Sequence, residues 1–296
     1  MRAVEVTRFG GPDVLRLAEV ERPSPISTEV LVRVIAAGVN PVDCKTRRGE
    51  GVARWVGPPP FVVGWDVAGV VEALGYGVTR FEVGDAVYGM PKFPRVAGGY
   101  GEFVAAPSRQ FARAPGKRPP TDAAALPLAA LTAWQCLVDA ARVANGQKVL
   151  VHGATGGVGH LAVQIARARG ASVLTTGSRD RQALGASDLD VALDLVGGDD
   201  TMLLLGTLRE GGLLLAVAGG ASEEVKRAAA KRRVRVMEPL VEPDGHALAK
   251  IAELVDSGDL AVTIDEVFPL EQAAAAHERL ERGGVKGKIV LEVNRR

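Results

Sequence analysis

Three glycines spaced three apart, Gly153, Gly156 and Gly159, stand in the run VLVHGATGGVGHLAVQIARARG from Val149 to Gly170. The pattern is G-x-x-G-x-x-G rather than G-x-G-x-x-G, so its meaning comes from its flanks. Val149 to Val151 reads as a buried strand, and Val158, Leu161, Ala162 and Ile165 give one apolar helix face that Gly170 ends. Between a strand and a helix, glycines let the backbone approach a pyrophosphate, whose charge is favoured by the free N–H groups at the helix start. Gly153, Ala154, Thr155, Gly156, Gly157, Val158 and Gly159 are therefore the candidate cradle of a dinucleotide. The competing reading is tight strand–helix packing with no ligand.

A site selecting NAD places Asp or Glu about 20 residues on, where it bonds the ribose hydroxyls. Here the second strand ends in TTGSR. Ser178 can donate a hydrogen bond and Arg179 can make charge-assisted bonds to a 2′-phosphate. This favours NADPH, against the plainer reading of an exposed loop arginine.

The elements that position this turn fall into two groups. At 296 residues the chain suits two domains. The first part alternates: Val30, Val32, Val34 and Ala36 share one face of a strand, and GGPD, GPPP and VGD punctuate the runs. Around Pro119 to Asp139 the character changes to helix, with Thr121 as a cap. From Lys148 the order strand, turn, helix, strand predicts a parallel doubly wound sheet, with further strands at VALDLVG and LLLAVAG. After Phe268, LEQAAAAHERLERG reads as helix and KGKIVLEV as a strand returning to the first domain. The expected division is 1–118 with 268–296, a β-rich substrate domain, and 119–267, a cofactor domain.

These motifs together resemble the medium-chain dehydrogenase/reductase superfamily, in particular its zinc-free quinone oxidoreductase branch. FGGPDVL, AAGVNPVDCK, PPFVVGWDVAGVV, GVTRFEVGDAVYG, GGYGEFV, ALPLAALTAWQCL, the glycine turn and AAAAHERLERGGVKGKIVL carry the resemblance in order along nearly the whole chain. It implies a GroES-like β-rich domain, a Rossmann domain and a homodimer. Zinc alcohol dehydrogenases of the superfamily carry Cys where Asn40 stands and His-Glu where Trp65-Asp66 stands. Zinc takes thiolate, imidazole or carboxylate ligands, and the cysteine-rich structural lobe is also missing. No metal is expected.

Without a Lewis acid, hydride transfer suits a quinone or an enone, whose oxygen takes the arriving charge and accepts a hydrogen bond. The resemblance places Asn40 in the cleft between domains, near nicotinamide and substrate; its other role is to fix the bend before Pro41. Lys45, where many relatives have Tyr, is a candidate donor to a developing oxyanion or else a surface lysine. Asn40 and Lys45 are the catalytic candidates. Thr132 resembles a family residue close to the nicotinamide, its other reading being a helix cap or a core hydroxyl, and Ala218 and Lys288 complete the candidate cofactor contacts. Asp43 reads as structural, bonding local backbone, and His152 and His160 as packed or exposed. Trp55 and Trp65 are pocket or core residues. An enoyl thioester or a natural-product intermediate is the alternative substrate, and a non-catalytic NADPH-binding protein the alternative of another class.

One departure stands out. After Arg179 the chain reads DRQALGASDLDVALDLVGG, shorter than the family pattern by roughly 15 to 20 residues, the length of one strand and one helix. The strand lost would be the edge of the 3-2-1-4-5-6 order, so the sheet core could survive.

Bulk composition excludes other classes. With 36 Lys and Arg against 35 Asp and Glu there is no net field for nucleic acid or an anionic membrane, and aromatics are only 4%. The basic run Lys226 to Arg235 reads as a solvated helix face. Cys44 and Cys136 make no disulfide framework. Neither a signal-peptide pattern nor a long apolar run is present, so a cytoplasmic protein is expected.

Overall fold

The computed structural model describes residues 1–176 and 182–294. It forms two compact units, Met1–Leu131 with Glu242–Arg296, and Thr132–Val241. The divisions lie inside those expected from sequence, for a packing reason. The helix Pro120–Ala124 packs on the strands Glu29–Val39 and Asp66–Leu74, and the helix Gly245–Ser257 packs on Phe111–Arg113. Tyr88 Oη also donates to the Leu248 carbonyl at 2.6 Å. Both helices therefore belong to the first unit.

In that unit the 11-residue strand Glu29–Val39 is the spine. Its alternate residues Val30, Val32, Val34 and Ala36 are fully buried, as their period of two requires. Beside it on one side lies Lys288–Glu292, antiparallel, with Ile289 opposite Val39. On the other side lies Asp66–Leu74, with Asp66 opposite Gly38. Gly38 has to be glycine: a Cβ there would stand 2.5 Å from the Ala124 carbonyl oxygen and 2.9 Å from Asp66. These two registers bring residues from three distant parts of the chain to the end of one strand. A second, three-stranded sheet orders Leu15–Glu19, Arg2–Val6 and Phe61–Val62.

The second unit is a parallel sheet of five strands among the described residues. Its spatial order is Ser172–Thr176, Lys148–His152, Leu189–Asp194, Leu208–Ala216, Arg235–Met237. A Rossmann sheet ordered 3-2-1-4-5-6 that lacks its third strand has this order, and Ser172–Thr176 is accordingly an edge. Leu150, Leu189, Ala192, Leu204, Leu205, Leu208, Leu214 and Val225 pack into the core beside it. The fold is α/β, with a GroES-like sheet and a shortened Rossmann-like sheet.

The helical stretch read around Pro119 to Asp139 is broken. Pro120–Ala124 is capped by Pro119 rather than Thr121, Pro127–Trp134 follows, and Gln135–Ala140 is π-helical. Pro127 supplies no N–H and disfavours helix at Leu126, which accounts for the first break. In the basic run, Lys226 pairs with Glu223 and Glu238, Arg233 pairs with Glu210, and Arg232 donates to the Gly206 and Leu208 carbonyls. Among the described residues no helix is long and apolar enough to cross a membrane.

Candidate functional site

Asn40 ends the spine strand and caps the helix Pro41–Arg47, with Pro41 at its first position. Proline is preorganised there because its missing N–H is one that the first turn leaves unpaired. The backbone N–H of Asn40 donates to Asp43 Oδ2 at 2.7 Å, which fixes the bend. Its side chain is only 2% exposed. Nδ2 donates to Asp66 Oδ2 at 2.8 Å, and Oδ1 accepts from Lys288 Nζ. Asp66 Oδ1 accepts from the Leu128 N–H at 2.7 Å. The Lys288 ammonium also reaches the Val39 carbonyl at 3.3 Å and lies 3.6 Å from Asp66 Oδ2. Burial pushes the Asp66 carboxyl up, opposed by the Lys288 charge. Burial pushes the Lys288 amine down, opposed by Asp66 and Asp43.

Behind Asp43 runs a second buried chain. Tyr100 Oη donates to Asp43 Oδ2 at 3.0 Å and lies 3.1 Å from His277 Nε2, while Arg47 Nη1 lies 3.2 Å from His277 Nδ1. Arg47 and Arg48 both donate to Glu281 Oε1 at 2.6 Å. Guanidinium only donates, so Nδ1 accepts and the proton sits on Nε2, directed at the tyrosine oxygen. The donors therefore all point one way, from Arg47 to Asp43. Burial, then the nearby Arg47 charge, lowers His277 to about 3, and burial raises Asp43 to about 7. Asp43 Oδ1 has no hydrogen-bond partner.

The sequence reading left out Tyr100, Arg47 and His277 and gave Asp43 only a local role. One signal was available for two of them: His277 shares a helix face with buried Ala273 and Ala276, and Arg47 shares one with buried Asp43. Lys45 stands apart from this assembly. It is exposed and lies about 200° around the helix from both Asp43 and Arg47. Trp65 is core, edge-on to Phe93 and donating to the Arg95 carbonyl at 2.7 Å. Trp55 is 44% exposed and stacks with Arg54.

In the second unit, the strand Lys148–His152 leads into the glycine turn and the helix Gly159–Ala168. Gly153 has φ +88°, and the N–H groups of Gly153 and Ala154 donate to the Thr176 carbonyl. A Cβ on Gly159 would meet Gly153 O at 2.1 Å and Ala154 Cα at 2.7 Å. The backbone thus closes on itself where only glycine fits. Val158 occupies the N-cap and makes no side-chain cap bond, so the helix start keeps orphan N–H donors suited to an anion. Thr155 is exposed on the turn, with Gly156 and Gly157 half-buried. This cradle, at the carboxyl end of a parallel strand, fits a dinucleotide pyrophosphate.

The remaining candidates scatter. Ala218 follows the strand Leu208–Ala216, its carbonyl oxygen 2.3 Å from where a Gly197 Cβ would be. Thr132 is buried in the helix Pro127–Trp134. Lys288 belongs to the first unit and is spent on Asn40, as described. Ser178 and Arg179 lie outside the described residues. His152 is fully buried, with Nε2 3.5 Å from Asp200 Oδ2, and His160 Nδ1 lies 2.9 Å from the Gly156 carbonyl oxygen.

Residues 27–116 match the alcohol dehydrogenase GroES-like domain, and residues 162–291 match the zinc-binding dehydrogenase model. The chain is 32% identical over 325 positions to the quinone oxidoreductase of Homo sapiens, covering 98% of this chain and 97% of that one. The chain belongs to the quinone oxidoreductase branch of the medium-chain dehydrogenase/reductase superfamily. The quinone oxidoreductase structure from Coxiella burnetii superposes with a TM-score of 0.89 at 34% identity, covering 99% of both chains. A mycobacterial protein solved in complex with NADPH gives 0.86 at 29% identity, covering 99% of this chain and 100% of that one. The 325 aligned positions exceed the 296 residues available, so the human protein carries segments this chain lacks.

Zinc is implied by the name of the matching model, and the residues do not fit it. Asn40 and Trp65 are not zinc ligands. The Asp66 oxygens already accept from Asn40 and Leu128, beside an ammonium. Among the described residues no three His, Cys, Asp or Glu are grouped to hold a metal.

Proposed function

We propose that this protein is a zinc-independent, NADPH-dependent oxidoreductase that transfers hydride to a quinone or an α,β-unsaturated carbonyl compound. The observation that carries the reading is the Asn40 assembly: where zinc relatives keep metal ligands, this chain holds a carboxamide between an ammonium and a carboxylate. The matched quinone oxidoreductases support the acceptor class. The mycobacterial NADPH complex supports the cofactor, as do Ser178 and Arg179 in the sequence.

The nicotinamide cofactor, when bound, supplies the hydride. The glycine turn and the start of the helix Gly159–Ala168 would hold its pyrophosphate through backbone N–H groups. One N–H of Asn40 is committed to Asp66; the other donates to the acceptor oxygen on which negative charge collects. Quinones and enones delocalise that charge, so one preorganised donor replaces what a metal does for a simple carbonyl. Asp43 and its chain to Arg47 keep the Asn40 bend in place.

We further propose a cytoplasmic homodimer that takes small-molecule substrates and no nucleic acid. The edge strand Arg235–Met237 and the exposed Met237 and Leu240 support pairing. The test is a titration of chelator-treated protein with NADPH and with NADH, then addition of an ortho-quinone and of an enone while nicotinamide oxidation is followed. NADPH-selective binding and undiminished turnover are expected. Turnover that appears only on adding zinc contradicts the reading.

A further inference from the structure

Lys288 is 3% exposed; its ammonium donates to Val39 O and Asn40 Oδ1 and forms an ion pair with Asp66 Oδ2 at 3.6 Å. An ammonium has three donors and no acceptor; here two of them have acceptors within hydrogen-bond distance and the third side of the charge faces the Asp66 carboxylate as an ion pair. A buried lysine is a costly way to begin a strand. The three residues that follow, Ile289, Val290 and Leu291, are wholly apolar and fully buried. The packing of the strand itself therefore does not call for a charge at this position.

We propose that Lys288, acting with Asp66, is a positioning residue that fixes the orientation of the Asn40 carboxamide and does not contact the cofactor. Lys288 only donates and Asp66, when ionised, only accepts. The carboxamide then has one permitted orientation, with oxygen toward Lys288 and nitrogen toward Asp66. Rotating it by half a turn would set its NH2 against the ammonium and its oxygen against the carboxylate. The orientation leaves one N–H uncommitted. A cation on the carbonyl oxygen polarises the amide and strengthens that N–H as a donor, as linked hydrogen bonds do in a low-dielectric interior. The backbone enforces the arrangement from both sides, because Ile289 is opposite Val39 and Asp66 is opposite Gly38. Lys288 and Asp66 thus reach Asn40 from two strands flanking its own.

This inference rests on the reading of Asn40 as the donor to the acceptor oxygen, and its test separates the two. Lys288→Met alone strands a buried carboxylate and is expected to fold poorly, so the working variant is Lys288→Met with Asp66→Asn, which removes both charges. The first readout needs no cofactor: the side-chain NH2 resonances of Asn40 in nitrogen-15-labelled protein, assigned with Asn40→Asp. The native protein should show two distinct, exchange-protected protons, and the double variant should lose that protection. The second readout is kinetic. The double variant should bind NADPH as tightly as the native protein and lose kcat at least tenfold, within the ~100-fold that removal of one oxyanion donor brings. Adding Asn40→Ala should lower kcat little further, because the residues act as a unit.

Unchanged Asn40 resonances would overturn the inference. So would NADPH affinity that falls in the double variant while kcat stays native, since Lys288 would then be a cofactor contact. Loss of the Asn40 protection with kcat unaltered would uphold the positioning of the carboxamide and overturn its role in the reaction.

Discussion

Asp43 and His277 belong to one buried hydrogen-bonded chain, and burial moves each toward its neutral form with opposite consequences for stability. His277 is lowered from 6.5 to about 3. Its contribution is whole above pH 6.5 and is lost as pH falls toward 3, because the unfolded imidazole takes up a proton that the folded one refuses. Asp43 is raised from 3.8 to about 7. Its contribution is whole below pH 3.8 and is lost as pH rises through 7, because the unfolded carboxyl ionises first. Where these windows overlap, between pH 3.8 and pH 6.5, the fold holds one extra proton at Asp43 and lacks one at His277, so the two slopes cancel in the native protein. His277→Gln removes one of them. Each unbalanced proton is worth about 1.4 kcal/mol per pH unit. From about pH 6.5 to about pH 4.5 the variant should therefore gain on the native protein by about 3 kcal/mol. Asp43→Asn should lose on it by a similar amount. Lost hydrogen bonds shift both variants down by about 1–3 kcal/mol at every pH without changing the tilt. Urea unfolding across this range, followed by tryptophan emission to which buried Trp65 contributes, measures the tilt. Differences from the native protein that stay constant with pH would refute the opposed titration.

Three further substitutions probe the site. Gly159→Ala places a Cβ 2.1 Å from Gly153 O; it should reduce NADPH affinity by at least about tenfold and destabilise the protein by more than about 2 kcal/mol, read by fluorescence titration and urea unfolding. Arg179→Ala should weaken NADPH far more than NADH, and equal losses would remove the 2′-phosphate assignment. Lys45→Ala should change stability by less than about 0.5 kcal/mol, because the side chain is exposed; any fall in its kcat then reports on chemistry.

Local pattern made much of this molecule readable from its sequence. The glycine turn was legible because strand and helix periodicity flank it within 22 residues. The missing edge strand was legible only through the family resemblance, because the stretch after Arg179 is shorter than the family pattern by about one strand and one helix. Asn40 was found through the motif around it, but its partners were not. Asp66 and Lys288 meet it only through the registers of two flanking strands, one of them from the far end of the chain. Tyr100, His277 and Arg47 were hidden for the same reason, since their shared network joins residues 177 and 230 positions apart. The unit boundaries also differed, because Pro120–Ala124 and Gly245–Ser257 are helices whose packing assigns them to the β-rich unit. A change from strand to helix in the sequence does not mark where a domain ends.

The proposed reaction is metal-free hydride transfer from a nicotinamide to a conjugated acceptor. Its most direct test is a single turnover of chelator-stripped protein with an enone and NADPH deuterated at the transferring position of nicotinamide C4. Deuterium is expected on the carbon β to the carbonyl, at a rate that added zinc does not raise. A product without deuterium, or NADPH that binds and is oxidised by no quinone or enone, would contradict it.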